Sequence, residues 1–271
     1  SQKAVTLPTE FFTDRSDGAF AGKAAVVFQP RRGTVIRISG GSAFRSPSVI
    51  DLYRDTRLSS GSLLLGNASL NPETMISWEA GLRQTLGARV SVDVAYYDNH
   101  IRNLIFRSID LALDPTGLTS RNLNAGRARS VGVEVATTVR ASSWLTLRPT
   151  YTYTDPKITG NTASPQTVGK QIPFVPRHAA AGTASATVKR VTMTATARYQ
   201  SAVFATDTNT DTTRNVPGAY DEFFETDIAA NVKLHRLISA SVSVDNIFDR
   251  HYYLFYRNPG RLVWAGARIK Y

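Results

Sequence analysis

The chain contains no cysteine. That excludes disulfides, zinc–thiolate sites and cysteine nucleophiles together. It also has no run of about 18 apolar residues, so it carries no transmembrane helix. A membrane barrel would show no such run either, because every second strand residue of a barrel faces water. Catalytic signatures are missing too: there is no P-loop, no Gly-x-Ser-x-Gly and no His-Glu-x-x-His. The 4 histidines, His100, His178, His235 and His251, have no ligand spacing and read as solvated or interfacial side chains. The chain is therefore not expected to be an enzyme. Acidic residues are the minority, 21 against 32 basic ones, for a net charge of +11. Such an excess usually points to nucleic acid or an anionic surface. Here Arg37, Arg83, Arg148, Arg198, Lys233 and Arg268 sit singly among apolar neighbours, with no basic helix, so no nucleic-acid partner is expected.

What the chain does have is alternation. In residues 238–249, Ile238, Ala240, Val242 and Val244 alternate with Ser239, Ser241, Ser243 and Asp245. A strand sends successive side chains to opposite faces, so one face is apolar and the other small and polar. The same pattern recurs over 18–30, 34–45, 75–86, 89–105, 121–141, 144–155, 177–188, 191–202, 222–234 and 261–271. This predicts about eleven strands, longer than the 5–6 residues usual in globular proteins. Their connections alternate between tight turns and long polar loops. A soluble sandwich has no reason to keep all its short turns at one end, whereas an outer-membrane barrel has short periplasmic turns and long external loops.

The faces agree with a barrel. Charges share the parity of Ser and Thr, and Phe28, Phe44, Tyr96, Tyr151, Tyr153, Tyr199, Phe224 and Tyr271 lie near strand ends on the apolar parity, as interfacial girdles do. The fold class expected is all-β, an antiparallel transmembrane barrel. If the last strand ends in the periplasm, residues 1–17 are the remainder of an external loop and the first strand descends from outside.

Several short motifs stand where this topology makes its transitions. Phe44-Arg45-Ser46-Pro47 leaves one strand, and Leu70-Asn71-Pro72-Glu73 with Trp78-Glu79-Ala80-Gly81 enters the next. Asn124-Ala125-Gly126-Arg127-Ala128 precedes Ser130-Val131-Gly132-Val133-Glu134, Tyr151-Thr152-Tyr153-Thr154 ends a strand, and Pro173-Phe174-Val175-Pro176-Arg177-His178 opens one. Asn246-Ile247-Phe248-Asp249, Tyr252-Tyr253 and Pro259-Gly260-Arg261 complete the series. In order and spacing these resemble the C-terminal barrel region of TonB-dependent outer-membrane receptors. The resemblance implies a plugged barrel of about 22 strands, of which residues 1–271 supply roughly half, with the plug, the TonB-contacting segment and the first strands absent from this chain. It implies outer-membrane localisation and a TonB complex reached through that N-terminal region. Lipid and lipopolysaccharide are the implied surroundings, and the terminal aromatic Tyr271 resembles the signal read by the barrel assembly machinery.

Function is then expected to be active uptake of a scarce ligand, first a ferric siderophore, with iron as cargo and no resident cofactor. Cobalamin or saccharide uptake by the same mechanism, and a passive porin-like channel, are the alternatives. Arginine and aromatic loop residues suit an anionic aromatic ferric chelate through charge-assisted bonds and cation–π contact. These are Tyr53, Arg54, Arg57, Arg107, Arg121, Tyr220, Tyr256 and Arg257; contact with anionic lipopolysaccharide would use the same residues. The segment 48–70 lacks the histidine that the haem branch of the family carries there, which argues against haem. Asp207, Asn209 and Asp211 place oxygens at alternate positions, as a calcium loop begins, but Thr212 stands at the expected glycine and Gly218 at the expected glutamate. An Asx/Thr-rich external loop is the plainer reading. Inward charges such as Glu79, Arg83, Glu134, Arg148, Asp227, Lys233 and Arg268 are expected to bond one another, lumen water or the plug.

Overall fold

The alternation folds into one continuous antiparallel sheet. A computed structural model describes Ser16, Gly18 and residues 20–58, 61–109 and 113–270. The expectations for the rest of 1–17 and for Tyr271 lie outside the described residues. In chain order the elements are β1 (Lys23–Arg31), β2 (Thr34–Arg45), α1 (Val49–Tyr53), β3 (Thr56–Arg57), β4 (Leu63–Leu65), β5 (Glu73–Leu86), β6 (Val90–Ile109) and β7 (Thr119–Arg140). They continue as β8 (Leu145–Asn161), β9 (His178–Val188), β10 (Val191–Gln200), β11 (Phe223–Lys233), β12 (Ile238–Asp245), β13 (Tyr253–Leu254), β14 (Tyr256–Arg257) and β15 (Leu262–Ile269). The wall runs β1-β2-β5-β6-β7-β8-β9-β10-β11-β12-β15, each strand beside its sequence neighbour in the wall. All eleven long segments read from the alternation are in it. The sheet does not close: β1 and β15 stand at its two edges. Free edges in hydrocarbon are untenable, so this is part of a barrel wall.

Three boundaries differ from the sequence reading. Residues 46–74 are not all irregular: α1, β3 and β4 lie within them. β6 runs on to Ile109, past the end at 105 read from alternation, while β7, at 22 residues, starts at Thr119 instead of 121. β8 continues through Pro156 to Asn161, although proline suggested a loop start there. Pro156 has no N–H to give the ladder, yet its carbonyl accepts from Ile172 N at 3.0 Å. It survives as a strand residue because the chain folding back from 168–172 covers it.

The wall has its apolar face outward and bare. Val26, Phe28, Ile38, Leu82, Met193 and Val242 are all exposed, which in water would be a long aggregation-prone surface. Total accessible surface is 18039 Å², whereas a compact monomer of 29.6 kDa exposes about 11,600 Å². Aromatics lie across neighbouring strands on this face. Tyr151 pairs with Ala180, Ala180 with Tyr199, and Tyr199 with Phe224, so one rung of four strands carries three rings. Trp78 and Tyr96 approach to 5.2 Å two strands away. His178 joins this belt, bonded through Nδ1 to the Tyr151 hydroxyl at 2.8 Å.

Core-like burial lies above the wall instead. Among the described residues the buried hydrophobic side chains are Leu70, Val203, Ala219 and Tyr252 in the loops, Phe106, Ala128 and Ile158 on the outer lengths of β6, β7 and β8, and Ala95 lower on β6. The long-loop end therefore folds by ordinary burial, while the wall depends on lipid.

The opposite face is a charge ladder built around small residues. Arg37 sits beside Gly81 in the β2·β5 ladder and crosses it to reach Glu79 at 3.1 Å and Asp93 at 2.7 Å. Arg83 reaches the same Asp93 at 2.8 Å. A Cβ at Gly81 would stand 2.5 Å from Arg37 Cζ, so the missing side chain is what lets one cation bridge three strands. Tyr97 uses Gly132 in the same way to bond Thr154 at 2.6 Å. Gly81→Val is expected to push Arg37 off both carboxylates and cost about 1–3 kcal/mol. The measurement is the temperature at which the folded, fast-migrating band disappears on an unboiled gel. An unchanged midpoint would refute the bridge.

Candidate functional site

The long-loop ends are not independent flaps. Hydrogen bonds tie each to the next, and the motifs singled out in the sequence form the ties. Arg45 pairs bidentately with Glu73, its ladder partner, at 2.6 and 2.7 Å. The free lone pairs of Glu73 then accept from Ile105 N at 2.8 Å. Asn71 N donates to Asn124 Oδ1 at 2.6 Å, and Asn124 Nδ2 donates to the carbonyls of Asn71 and Asn103 at 2.9 and 2.8 Å. Three motifs far apart in sequence thus meet at one rim. Ser48 caps α1, its hydroxyl accepting from Asp51 N, and Asn122 Nδ2 donates to the Asp51 carbonyl at 3.3 Å. β4 adds to the outer part of β7 in parallel, Leu65 beside Arg121.

The next ties run onward. Ser108 on β6 contacts the Ser164 hydroxyl at 3.3 Å. Asn209 bonds the backbone of Gln171 from both sides, accepting at 2.7 Å and donating at 3.0 Å. Phe174 N donates to the Phe204 carbonyl at 2.8 Å with Phe174 at φ 62, a left-handed conformation that its place against Tyr220, 5.2 Å between rings, holds. Gly218 N and Phe255 N exchange bonds with the carbonyls of Phe255 and Ala219. The result is a linked collar from α1 to β14.

The Asn246-Ile247-Phe248-Asp249 motif locks the last segment. Asn246 and Asp249 take φ 53 and φ 51, which Asn and Asp tolerate better than other side chains. The buried Asn246 side chain accepts from Arg250 N and donates to the Arg250 carbonyl, both at 2.9 Å. Asp249 Oδ1 accepts from Arg261 N at 2.8 Å, so the segment begins and ends on one carboxylate.

That amide of Arg261, more than any other cause, holds the Asp249 carboxyl below its ordinary 3.8. A depressed carboxylate favours the closed segment at every pH above the ordinary value. The contribution fades as pH falls through the lowered value. Hydrogen exchange at Arg261 N–H, corrected for its intrinsic pH dependence, is expected to speed up below pH ~4. Asp249→Asn should flatten that dependence. A wild-type profile that is already flat would refute the lock.

The candidate residues fall into two groups. Tyr53 ends α1, Arg54 follows it, Arg57 lies on β3, and Arg107 and Arg121 lie on the outer lengths of β6 and β7. α1, β3 and β4 are packed onto that extension, so these five share one part of the collar. Tyr220, Tyr256 and Arg257 form the other part: Tyr220 bridges to Leu254 and Tyr253 pairs with Arg257. Phe174, Tyr220, Phe255 and Tyr256 make a row of rings there, with centroids 5.2, 6.3 and 4.9 Å apart. Phe174 and Phe255 carry no charge or hydroxyl to mark them in the sequence; their rings, on backbone at φ 62 and 69, join the row through contact with Tyr220. Arg214 adds a cation 5.8 Å above the Phe204 ring.

The Asp207–Asn209–Asp211 segment spends oxygens on the protein itself, Asn209 Oδ1 on Gln171 N and both Asp211 oxygens on its own loop. Asp211 accepts from Ala205 N and the Thr206 hydroxyl, both at 2.6 Å. Burial pushes Asp211 up, yet those donors hold it below the usual carboxylate range, while burial leaves Asp207 raised. Among the described residues no three His, Asp or Glu side chains are grouped to hold a metal.

Comparison with known proteins follows from this architecture. The family model described as TonB dependent receptor-like, beta-barrel matches residues 1–247. The chain belongs to the TonB-dependent receptor family. It is 26% identical, over 95% of its length and 34% of the relative's, to the probable TonB-dependent receptor BfrD of Bordetella pertussis. Among solved structures, it resembles the ferric enterobactin receptor PfeA of Pseudomonas aeruginosa (G324V mutant), with TM-score 0.71, 15% identity, and 92% of this chain on 40% of that one. It also resembles the siderophore receptor PiuA of Acinetobacter baumannii, with TM-score 0.67, 19% identity, and 92% of this chain on 35% of that one. The chain spans about a third of the curated relative it matches. Membership of this family places the wall in the bacterial outer membrane, with its short turns in the periplasm and its collar outside.

Proposed function

We propose that this chain forms wall and outer collar of a receptor that takes up a ferric chelate, driven by TonB acting through an N-terminal region. The observation that supports it best is the linked collar. It gathers arginines and a row of aromatic rings at the outer face and holds them on a wall whose polar side is a charge ladder. An anionic aromatic chelate would meet cations for its charge and ring faces for its ligand groups. Rings bring large contact area at little entropy cost. Siderophore receptors among the structural neighbours favour the same cargo, although a copper transporter, OprC, stands beside them.

The test is uptake of single labelled ferric siderophores by cells with and without the gene. The reading expects one chelate to be lost on deletion, and its uptake to stop when TonB or the proton-motive force is removed. Uptake that persists without either would establish a passive channel instead. Deletion that alters only cobalamin or saccharide uptake would keep the mechanism and replace the cargo.

A further inference from the structure

On its outward face the wall changes character just above its aromatics. Asp98, His100 and Arg102 follow Tyr96 on the same parity of β6, and Arg127 and Arg129 precede Val131 on the same parity of β7. They therefore point away from the lumen, as Tyr96 does. Their chain neighbours Ala128 and Ile158 turn the other way and are buried. His100 stands opposite Arg129, and Arg129 opposite Lys157. One rung farther out, Arg102 stands opposite Arg127. The first rung is neutralised by carboxylates. Asp98 accepts from Arg129 at 2.9 and 2.7 Å and lies 3.2 Å from His100 Nε2, and Asp155 pairs with Lys157 at 2.7 Å. The second rung is not: among the described residues neither Arg102 nor Arg127 forms an ion pair. Gly160, the partner of Arg127 on β8, leaves room for the guanidinium to lie across it, since a Cβ there would come 3.0 Å from Arg127 Nε.

Two like charges directly opposite each other destabilise an antiparallel ladder. No carboxylate of the described residues offsets that between Arg102 and Arg127. Instead a recess of about 520 Å³ opens beside them, lined by His100, Arg102, Arg127 and the exposed Thr159, with Ile101 and Ala128 between them. What lies below the recess says what it faces. The exposed Ile76 is the ladder partner of His100, Trp78 is that of Asp98, and Tyr96 and Tyr153 flank Val133 on the next rung down. Hydrocarbon and aromatic rings thus give way to cations within two rungs, as acyl chains give way to headgroups at a membrane boundary.

We propose that Arg102 and Arg127, with His100 and Thr159 beside them, seat a phosphate group of lipopolysaccharide in the outer leaflet. Each guanidinium presents paired N–H donors to phosphate oxygens, and one phosphate between the two turns a repulsion into two attractions. Ile76 and Trp78 meet the acyl chains below it. None of the loop arginines Arg54, Arg57, Arg107, Arg121 or Arg257 lines the recess. The proposal rests on membership of the family, which sets the leaflet, and not on the cargo, so failure of ferric uptake would leave it standing.

The experiment uses the whole receptor, expressed from its own gene and extracted from outer membranes into detergent. It is incubated with equal amounts of lipid A carrying its phosphates and lipid A enzymatically stripped of them, and the lipid retained is counted by native mass spectrometry. The wild type is expected to retain several-fold more of the phosphorylated form. A variant carrying Arg102→Gln and Arg127→Gln should lose that preference. Equal retention of both forms by the wild type would overturn the proposal. So would an undiminished preference in the variant, which would put the phosphate elsewhere on the wall. Inorganic phosphate retained as well as lipid A, at the same concentration, would make the recess a site for a free anion and overturn the lipid assignment. Neither arginine has an ion-pair partner to lose, so the variant is expected to keep its folded band on an unboiled gel. Should it fail to fold, each single substitution carries the same test, and a preference untouched in both overturns the proposal.

Discussion

Val242→Arg is expected to keep most of the protein out of the folded barrel, while Ser241→Arg, one residue away, leaves assembly near wild type. Val242 lies between Ala230 and Ala265 on neighbouring strands, 47% exposed on the apolar face. An arginine there would stand in hydrocarbon in the middle of β12, at a cost of about 2–4 kcal/mol. Its only relief is to snorkel toward an interface. Ser241 pairs with Asn231 and Gly266 on the polar face. Gly266 leaves open space beside it, where a Cβ would meet only the Ser241 hydroxyl at 3.4 Å. An arginine there would stay in water and should change stability by less than about 0.5 kcal/mol. The readout is the fraction of each variant in outer membranes that migrates as the folded band before boiling. Equal loss at both positions would mean that β12 is buried on both faces, and equal tolerance that neither face meets lipid. Either result would undo the face assignment for the whole wall, because the ladder fixes the parity of every strand to that of its neighbour.

The same parity argument says why the wall was legible in the sequence and the collar was not. A strand in lipid must alternate, and nothing else competes with that signal between residues 75 and 102 or 131 and 155. The signal stops at Asn103, where φ is 56 and the β6·β7 register slips on both sides of Leu104. A slip of one residue exchanges the two faces, so Phe106 turns into the collar and covers Gly126. Beyond that point strands continue but alternation does not report them. The collar's ties are single side chains bonding backbone outside the strand ladders: Asn124 with Asn71, Asn209 with Gln171, Asn246 with Arg250. Such bonds leave no periodicity. They left short motifs instead, and the motifs identified the family before their role as locks could be seen. Tyr53, Arg54, Arg57, Arg107 and Arg121 were named by residue type alone; their grouping depends on β4 joining β7, a parallel pairing that no local pattern announces.

Glu225→Ala is expected to release the last collar segment while leaving the wall intact. Glu225 faces Arg198 across the β10·β11 ladder and accepts from its guanidinium at 2.5 Å. Its other oxygen accepts from the Tyr252 hydroxyl at 2.8 Å and from Asn258 Nδ2 at 3.1 Å. One carboxylate, 7% exposed, therefore joins two wall strands to the segment between Asn246 and Arg261. Burial, then the bond to Glu225, pushes the Tyr252 hydroxyl above its ordinary value, so it remains a donor at any physiological pH. Truncation would leave that buried hydroxyl without its acceptor and Asn258 without its anchor. Arg198 would suffer less, being half exposed and still paired with Asp227 at 2.8 Å. Losing the buried acceptor costs about 1–3 kcal/mol, nearly all of it in the collar segment. The wall ladder between β10 and β11 is backbone and should hold. Hydrogen exchange at Asn258 N–H, which donates to the Tyr252 carbonyl at 2.9 Å, should then accelerate about tenfold to a hundredfold. Exchange within β11 should not change. Glu225→Gln retains an acceptor for Tyr252 and should fall between the two. Uniform acceleration through β11 would show that Glu225 holds the wall. Unaltered exchange at Asn258 would show that the collar segment is held by Asn246 and Asp249 alone. If the collar binds the cargo, the Ala variant should also lose affinity for it at unchanged surface abundance. Such a loss would tie a single wall carboxylate to recognition at the outer face.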